Sequence, residues 1–390
     1  MIYREMTPIL VEAARQFPIV GVIGPRQSGK TTLTKSTFPS YKYVTLEDLD
    51  IRAQALEDPR KFFASYAQEN GLIIDEIQEA PALFSYLQGI VDKEHKPGFF
   101  IITGSQNFLM HEKITQTLAG RIALLTLLPL TISELKNAQK APDTPEPIMV
   151  NGLYPRIYAH EINPQLWFNN YVSTYIERDV RQIINIENIV SFQKFLKLCA
   201  ARTGNIINYA SLARDCDISP HTAKAWLSVL ESSYIIKLLQ PYHKNYNKRL
   251  IKSPKLYFYD PGLVSFLLGI NNPQDLFTHP LRGALFETLI VSELHKYYCN
   301  QGKTPPLYFW RDVQGHEIDC IIEKSFTQLI AVEVKSSMTI MSGSFKELID
   351  WHTISDQSEQ SSFLVYAGTE KQLRTHGTVV PWSDVKGIIG

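Results

Sequence analysis

No apolar run in the 390 residues approaches the length of about eighteen needed to span a bilayer, and the N-terminus lacks a secretory signal pattern. A soluble, cytoplasmic protein without membrane contact is expected. An excess of charge of one sign is missing too. Lys plus Arg and Asp plus Glu each total 39, so no global field draws the chain onto nucleic acid, and any such contact must be local. Cysteine is scarce: Cys199, Cys216, Cys299 and Cys320 form no C-x-x-C pair, which argues against a disulfide framework and offers no zinc spacing. His111, His295 and His316 stand at no metal-ligand spacing and read as core or surface residues. Internal repeats and low-complexity tracts are absent, which excludes solenoids and fibrous classes.

What is present is a 44% apolar composition over a length too great for one ordinary core, so several domains are expected. From residue 17 to about 130, strand-length apolar runs at 19–23, 41–46, 72–74, 99–103 and 123–128 alternate with helical patterns. That alternation reads as an α/β domain with a parallel sheet, and continuous apolar runs suit strands buried on both faces. Pro142, Pro145 and Pro147 mark a loop or hinge at 141–147, and the spacing of Trp167, Tyr171, Tyr175 and Ile176 then reads as a helical lid or connector.

Around 208–231 the pattern is helix, tight turn, helix, with Ser219 a good N-cap and Pro220 suited to the first helical position. Strand-like runs at 234–239 and 255–259 flank a basic loop, and that order is a winged helix. From about 283 a helix carrying Phe286, Leu289, Ile290 and Leu294 leads to strands at 307–311, 316–323 and 329–336, with a tight turn at Gln314-Gly315. A helix near 345–351 and a strand at 362–366 complete a small α/β domain.

Gly24-Pro25-Arg26-Gln27-Ser28-Gly29-Lys30-Thr31 fits the G-x-x-x-x-G-K-[ST] phosphate loop at every fixed position, between an apolar run and a helical pattern that Thr32 continues. Backbone N–H groups freed by the glycines converge on phosphate oxygens at a helix N-terminus, whose partial positive charge favours the anion. Lys30 is assigned to the β- and γ-phosphates and Thr31 to Mg²⁺, so ATP and Mg²⁺ are the expected ligands. The run 72–76 ends in Asp75-Glu76. Adjacent acids at the end of a buried strand call for a cation, so Asp75 is cast as the Mg²⁺ carboxylate and Glu76 as the base that polarises the attacking water. The strand at 99–103 ends in Gly104-Ser105-Gln106-Asn107, at the sheet edge where α/β folds bind ligands. Ser105 leads as the residue that senses the γ-phosphate or positions water, with Gln106 and Asn107 its rivals and turn chemistry the alternative. Arg121, just before the last core strand, is a candidate to reach the γ-phosphate of a neighbouring subunit in a homo-oligomer. A surface salt bridge is its alternative.

The segments GPRQSGKTTL, YVTLEDLD, LIIDEIQEAP, IITGSQNFLM and LAGRI, in this order, resemble prokaryotic ATPases of the AAA+ superfamily that carry a C-terminal region of unassigned function. NGLYPRIY, YIERDV, YFYDPGL, GALFETLIVSEL, YFWRDVQGHEID and VEVKSS resemble that second region, so nearly the whole chain is covered. The resemblance implies an αβα core taking ATP and Mg²⁺, and no particular cellular role.

Lys244, Lys248, Arg249, Lys252 and Lys255, with Tyr246 among them and no acid, make the loop at 243–255 basic. Such a wing suits DNA phosphates while the helix at 220–231 enters a groove, packing and regulation being the alternative use. A more pointed signal is Asp319 with Glu333-Val334-Lys335. Glu333 and Lys335 share one face of a strand, and Asp319 on the preceding strand comes alongside. Two carboxylates there would bind Mg²⁺, Lys335 would lower the pKa of an attacking water or stabilise phosphate charge, and Glu287 from the preceding helix would be a third ligand. This arrangement resembles the PD-(D/E)XK nuclease fold of restriction endonucleases.

The expected fold class is therefore α/β: an AAA+ P-loop αβα core at 1–130, a helical lid at 131–190, a winged helix at 191–258 and a restriction-endonuclease-like α/β domain at 259–390. Two functions stay open. ATP either gates a DNA-directed nuclease activity, or controls binding of a protein partner or DNA with no cleavage.

Overall fold

The computed structural model describes residues 2–67, 69–105, 117–176, 189–242, 252–325, 328–355 and 361–389. Two compact units emerge: Met1–Leu130 with Ser232–Tyr234 and Tyr298–Lys303, and Thr131–Glu231 with Ile235–Tyr297 and Thr304–Gly390.

The first unit is a parallel five-stranded sheet of order β2-β3-β4-β1-β5, formed by β1 (Ile19–Ile23), β2 (Lys42–Thr45), β3 (Leu72–Asp75), β4 (Phe100–Gly104) and β5 (Ile122–Thr126). Strands β1, β3 and β4 are buried along their whole length, which is why they read as unbroken apolar runs rather than alternating ones. Helix Thr7–Gln16 places Leu10, Ala13 and Ala14 against Val20, Val22, Ile73 and Ile101 of the sheet. The order has a functional consequence. Because β4 lies between β1 and β3, the loop after β1, the acids ending β3 and the end of β4 open side by side on one edge.

The second unit opens with helices Ile132–Asn137, Glu146–Asn151, Pro155–His160 and Pro164–Tyr171, followed by the π-helical turn Val172–Ile176. One helix starts inside the stretch expected as a hinge: Pro147 sits in the first turn of Glu146–Asn151, where a missing N–H costs nothing. That helix does not stand apart as a lid. The turn that ends it meets helix Pro261–Leu267 so closely that a Cβ on Gly262 would stand 2.3 Å from the Gly152 nitrogen. Buried Asp260 locks the contact by accepting from the Leu153 N–H at 2.7 Å and the Leu263 N–H at 3.0 Å. Residues 131–176 are thus built into the same unit as the chain beyond 259.

Helices Ile189–Ala201, Tyr209–Asp215 and Pro220–Ser232 accompany a three-stranded antiparallel sheet of β6 (Asn205–Ile206), β7 (Ile236–Leu239) and β8 (Lys255–Phe258), with β8 in the middle. Ser219 caps its helix as expected, accepting from the Thr222 N–H at 3.0 Å. A six-stranded sheet of order β13-β14-β12-β11-β10-β9 follows, from β9 (Leu307–Arg311), β10 (Glu317–Glu323), β11 (Leu329–Lys335), β12 (Ser362–Tyr366), β13 (Gln372–Arg374) and β14 (Gly377–Pro381). Strands β9 to β11 run antiparallel, and β12 and β14 continue parallel to β11. Trp310, Ile318 and Leu364 of this sheet form one core with Leu348 and Trp351 of helix Lys346–Ser355. All four cysteines are free and buried. Among the described residues no helix is long and apolar enough to cross a membrane.

Candidate functional site

The loop after β1 turns through three left-handed residues, Gly24 at φ 146°, Gln27 at φ 60° and Gly29 at φ 95°. A side chain cannot replace Gly24, because a Cβ there would stand 2.1 Å from the Leu127 carbonyl oxygen. Gly29 is the N-cap of helix Lys30–Thr37, and the first-turn N–H groups of a helix point out of its end, which makes a ready anion site. Lys30 is buried, and its ammonium lies across the loop, donating to the carbonyls of Gly24 at 3.0 Å and Pro25 at 2.8 Å. Arg26 and Gln27 are half-buried and Thr32 is exposed, while the buried Ser28 hydroxyl has no hydrogen-bond partner among the described residues.

One residue of this loop's support carries no motif. Arg4 is buried, donating from Nη1 to the Ser28 carbonyl and from Nη2 to the Leu128 carbonyl, both at 2.6 Å. It ties the phosphate loop to the chain leaving β5. The only hint of it in the sequence is a lone basic residue ahead of an amphipathic helix.

Asp75 and Thr31 are brought together. The Thr31 hydroxyl donates to Asp75 Oδ2 at 2.8 Å, the Tyr43 hydroxyl to the same oxygen at 2.9 Å, and the Thr103 hydroxyl to Oδ1. Burial, and then the Asp75 charge, push the Tyr43 phenol well up, so Tyr43 stays a donor. A hydroxyl and a carboxylate side by side form an all-oxygen set that fits Mg²⁺. Glu76 sits at φ 52°, a left-handed conformation that costs about 1 kcal/mol and turns its side chain out of the strand's alternation. Its Oε2 accepts from Ser105 Oγ at 3.0 Å and from Gln78 Nε2. Burial alone would raise its pKa, but Lys30, the Gln78 bond, Arg26 and Ser105 together lower it, so the carboxylate is ionised at neutral pH. Gln78 escaped the sequence reading. Gln106 and Asn107 lie outside the described residues.

Arg121 stands at the opposite edge. It precedes β5, whose start pairs with the start of β1, so a five-residue strand separates it from the loop, about 16 Å at about 3.3 Å per residue. Its guanidinium grips Asp92 with two prongs, Nε to Oδ1 at 2.6 Å and Nη2 to Oδ2 at 2.9 Å. This is the surface salt bridge named as its alternative.

In the second unit, Lys255 departs from expectation. It is not part of an exposed basic wing. As a residue of the central strand β8 it is buried, with Nζ 3.0 Å from Glu287 Oε1, 3.7 Å from Asp319 Oδ1 and in contact with Glu317 Oε1. Tyr257 donates its hydroxyl to Glu287 Oε1. Lys252 is exposed, and Lys244, Tyr246, Lys248 and Arg249 lie outside the described residues. Asp319 falls where the register between β9 and β10 shifts, an irregularity that re-aims side chains, and its Oδ2 accepts from the Val334 N–H at 2.9 Å. Glu333 and Lys335 share a face as expected, with Lys335 Nζ 2.6 Å from Glu333 Oε1, while Glu333 Oε2 is buried without a hydrogen-bond partner among the described residues.

Burial, and then Glu287 and Glu333, raise Asp319 well above the usual carboxylate range. Burial against the pull of Lys335 raises Glu333 to about 7. The expected metal ligands Asp319, Glu333 and Glu287 are not gathered as a metal site: among the described residues no group of three or more His, Cys, Asp or Glu is arranged to hold a metal ion. A lysine lies among carboxylates instead, with Glu317, a residue the sequence reading passed over, as one of its partners.

Three family models match the chain. Residues 16–136 match an AAA domain, residues 144–274 a domain of unknown function (DUF8612) and residues 282–385 another domain of unknown function (DUF4143). The uncharacterized protein Rv2008c of Mycobacterium tuberculosis is 30% identical over 326 residues, which span 83% of this chain and 71% of that protein. The uncharacterized protein Mb2031c of Mycobacterium bovis matches to the same extent. Among solved structures, the Walker-type ATPase PABY2304 of Pyrococcus abyssi aligns with a TM-score of 0.47 and 15% identity, over 68% of this chain and 96% of that one.

Proposed function

The chain belongs to the same family as these two mycobacterial proteins, and from its match to an AAA domain we propose that it binds and hydrolyses ATP there and uses the nucleotide state to control a C-terminal interaction module. The observation that carries the reading is the meeting of three groups on one sheet edge: the Lys30 loop, the Thr31–Asp75 pair and the Ser105–Glu76 pair.

Backbone N–H groups of the loop from Gln27 to Thr31, with Gly24 and Pro25 shaping its start and Arg26 and Thr32 at the margin, surround the phosphates, and Lys30 exchanges its carbonyl partners for β- and γ-phosphate oxygens. Thr31 and Asp75 would hold Mg²⁺, which neutralises phosphate charge when bound. Glu76, ionised and aimed by Ser105 and Gln78, orients the attacking water and accepts its proton. Ser105 reports the γ-phosphate to Glu76 because it bonds the base directly. Arg121 serves a neighbour's site in a homo-oligomer after release from Asp92, since in its own chain it lies at the far edge of the sheet.

For the second unit, helices and strands from Ile189 to Phe258 follow the order of a winged helix, and β9 to β11 after helix Arg282–Asn300 support the nuclease-like fold. Lys255 among the carboxylates favours an interaction module, binding DNA or a protein, over a cleaving one. The test is phosphate release by the purified chain and its Glu76→Gln and Lys30→Ala variants, with DNA cleavage assayed in parallel. ATP turnover that both substitutions abolish, with intact DNA throughout, is the expected result.

A further inference from the structure

We propose that helix Leu49–Glu57, which follows β2, is a docking face for the basic segment 243–252 of a second copy of this chain. Leu49 and Leu56 are 68% and 51% exposed, and with exposed Ala53 they stand at i, i+4 and i+7, one apolar stripe along the outward face. Ala55 is buried on the opposite face. The leucines are not turned outward by a loose end. Asp48 caps the helix by accepting from the Asp50 N–H at 3.0 Å, and just before it the Leu46 N–H donates to the Asp75 carbonyl at 3.1 Å. Arg52, on the flank of the stripe, bonds Glu79 Oε2 through Nη1 at 2.9 Å. An aligned apolar stripe on an anchored helix, facing water, is a surface that the fold itself does not use.

Charge selects the occupant. Exposed Glu47, Asp50 and Glu57 border the stripe, and the one base between residues 47 and 58, Arg52, is already paired with Glu79. Such a face repels nucleic acid, and a purely apolar partner leaves its acids uncompensated. A segment that carries bases and apolar side chains together fits both features. The chain has one at 243–252, where Lys244, Lys248, Arg249 and Lys252 stand without an acid and are interleaved with Tyr246, Leu250 and Ile251. DNA phosphates make no use of Leu250 and Ile251, whereas the stripe covers them. The contact needs neither nucleotide nor Arg121, so its fate is separate from that of the proposed ATPase.

The test is sedimentation velocity of the full chain without nucleotide, at low salt and protein concentrations of about 10–100 µM. Wild type is expected to self-associate, and about 0.5 M salt to weaken the association at least about tenfold. Asp50→Lys/Glu57→Lys reverses the stripe and Lys248→Glu/Arg249→Glu reverses the segment. Each of these proteins alone is expected to be a monomer, and an equimolar mixture to associate again, because each then meets opposite charge on the other. Leu49→Ser/Leu56→Ser, which leaves the charges alone, weakens self-association at least about tenfold, and added to the stripe variant it weakens the mixture too. If a charge-reversed variant fails to fold, the leucine variant and the salt dependence decide in its place. A monomeric wild type overturns the proposal. So does association that survives either reversal, or a mixture of two folded variants that stays monomeric, as docking within one chain would give. DNA binding by a monomeric wild type that Lys248→Glu/Arg249→Glu abolishes assigns the segment to nucleic acid instead.

Discussion

Replacing Glu76 by Gln keeps the size and shape of the side chain while removing its ability to take a proton. In the structure one carboxylate oxygen receives both the Ser105 hydroxyl and the Gln78 amide, and the amide oxygen of glutamine serves those donors equally well. The left-handed backbone at residue 76 is unchanged, so the ground state is preserved. What is lost is the base, held ionised by Lys30 and Arg26 against its burial. A positioned general base contributes about 10²–10⁴ in rate, or about 3–5 kcal/mol of activation free energy. Glu76→Gln should therefore lower kcat for phosphate release by about 10²–10⁴, while equilibrium binding of a fluorescent ATP analogue holds or tightens as a negative charge leaves the site. Ser105→Ala is the control for aim: it removes one of two bonds to a carboxylate that remains, so kcat falls by about tenfold and KM changes little. Wild-type turnover in Glu76→Gln would refute the assignment, and a parallel loss of binding would make Glu76 a structural residue.

Lys30→Ala should weaken ATP binding by about 10²-fold in the same binding assay, from the loss of charge-assisted bonds worth about 1.5–3 kcal/mol each. Arg4→Met leaves the Ser28 and Leu128 carbonyls without their donor; about 3–5 kcal/mol of stability is expected to vanish from the first unit in urea unfolding. Burial, then Lys237 and Lys296, hold His295 down to about 3, so its contribution is complete above its unfolded value of about 6.5 and is lost as pH falls. At pH 5 that loss is about 2 kcal/mol, and His295→Phe should flatten this part of the stability profile. ATP turnover per molecule should rise with protein concentration, and Arg121→Ala should abolish the rise; a constant rate from a monomer verified by sedimentation would remove the trans role.

The phosphate loop was legible because its physics is local. Two glycines, an N-cap and a lysine fall within eight consecutive residues, and the backbone shape follows from them. Strands β1, β9 and β12 were also readable to the residue, since an apolar run buried along all or most of a strand leaves a pattern within the strand itself. Hairpin β13–β14 left none: β13 is three residues long and mostly exposed, so no apolar period marks it. Arg4 and the Leu128 carbonyl it holds are 124 residues apart, and Arg121 and Asp92 are 29 apart; neither pairing has a signature along the chain.

By itself, then, the sequence determined the turn of the Gly24–Lys30 loop, the acids Asp75 and Glu76 at the end of β3, and the facing of Glu333 and Lys335, because each depends on neighbours along one element. Tertiary structure alone decided the character of the second site. Lys255 reads as one more basic residue in a basic loop, and only the central place of β8 in its sheet buries it. Burial is what converts it, since an ammonium removed from water must find carboxylates, and those of Glu287, Glu317 and Asp319 arrive from two other elements.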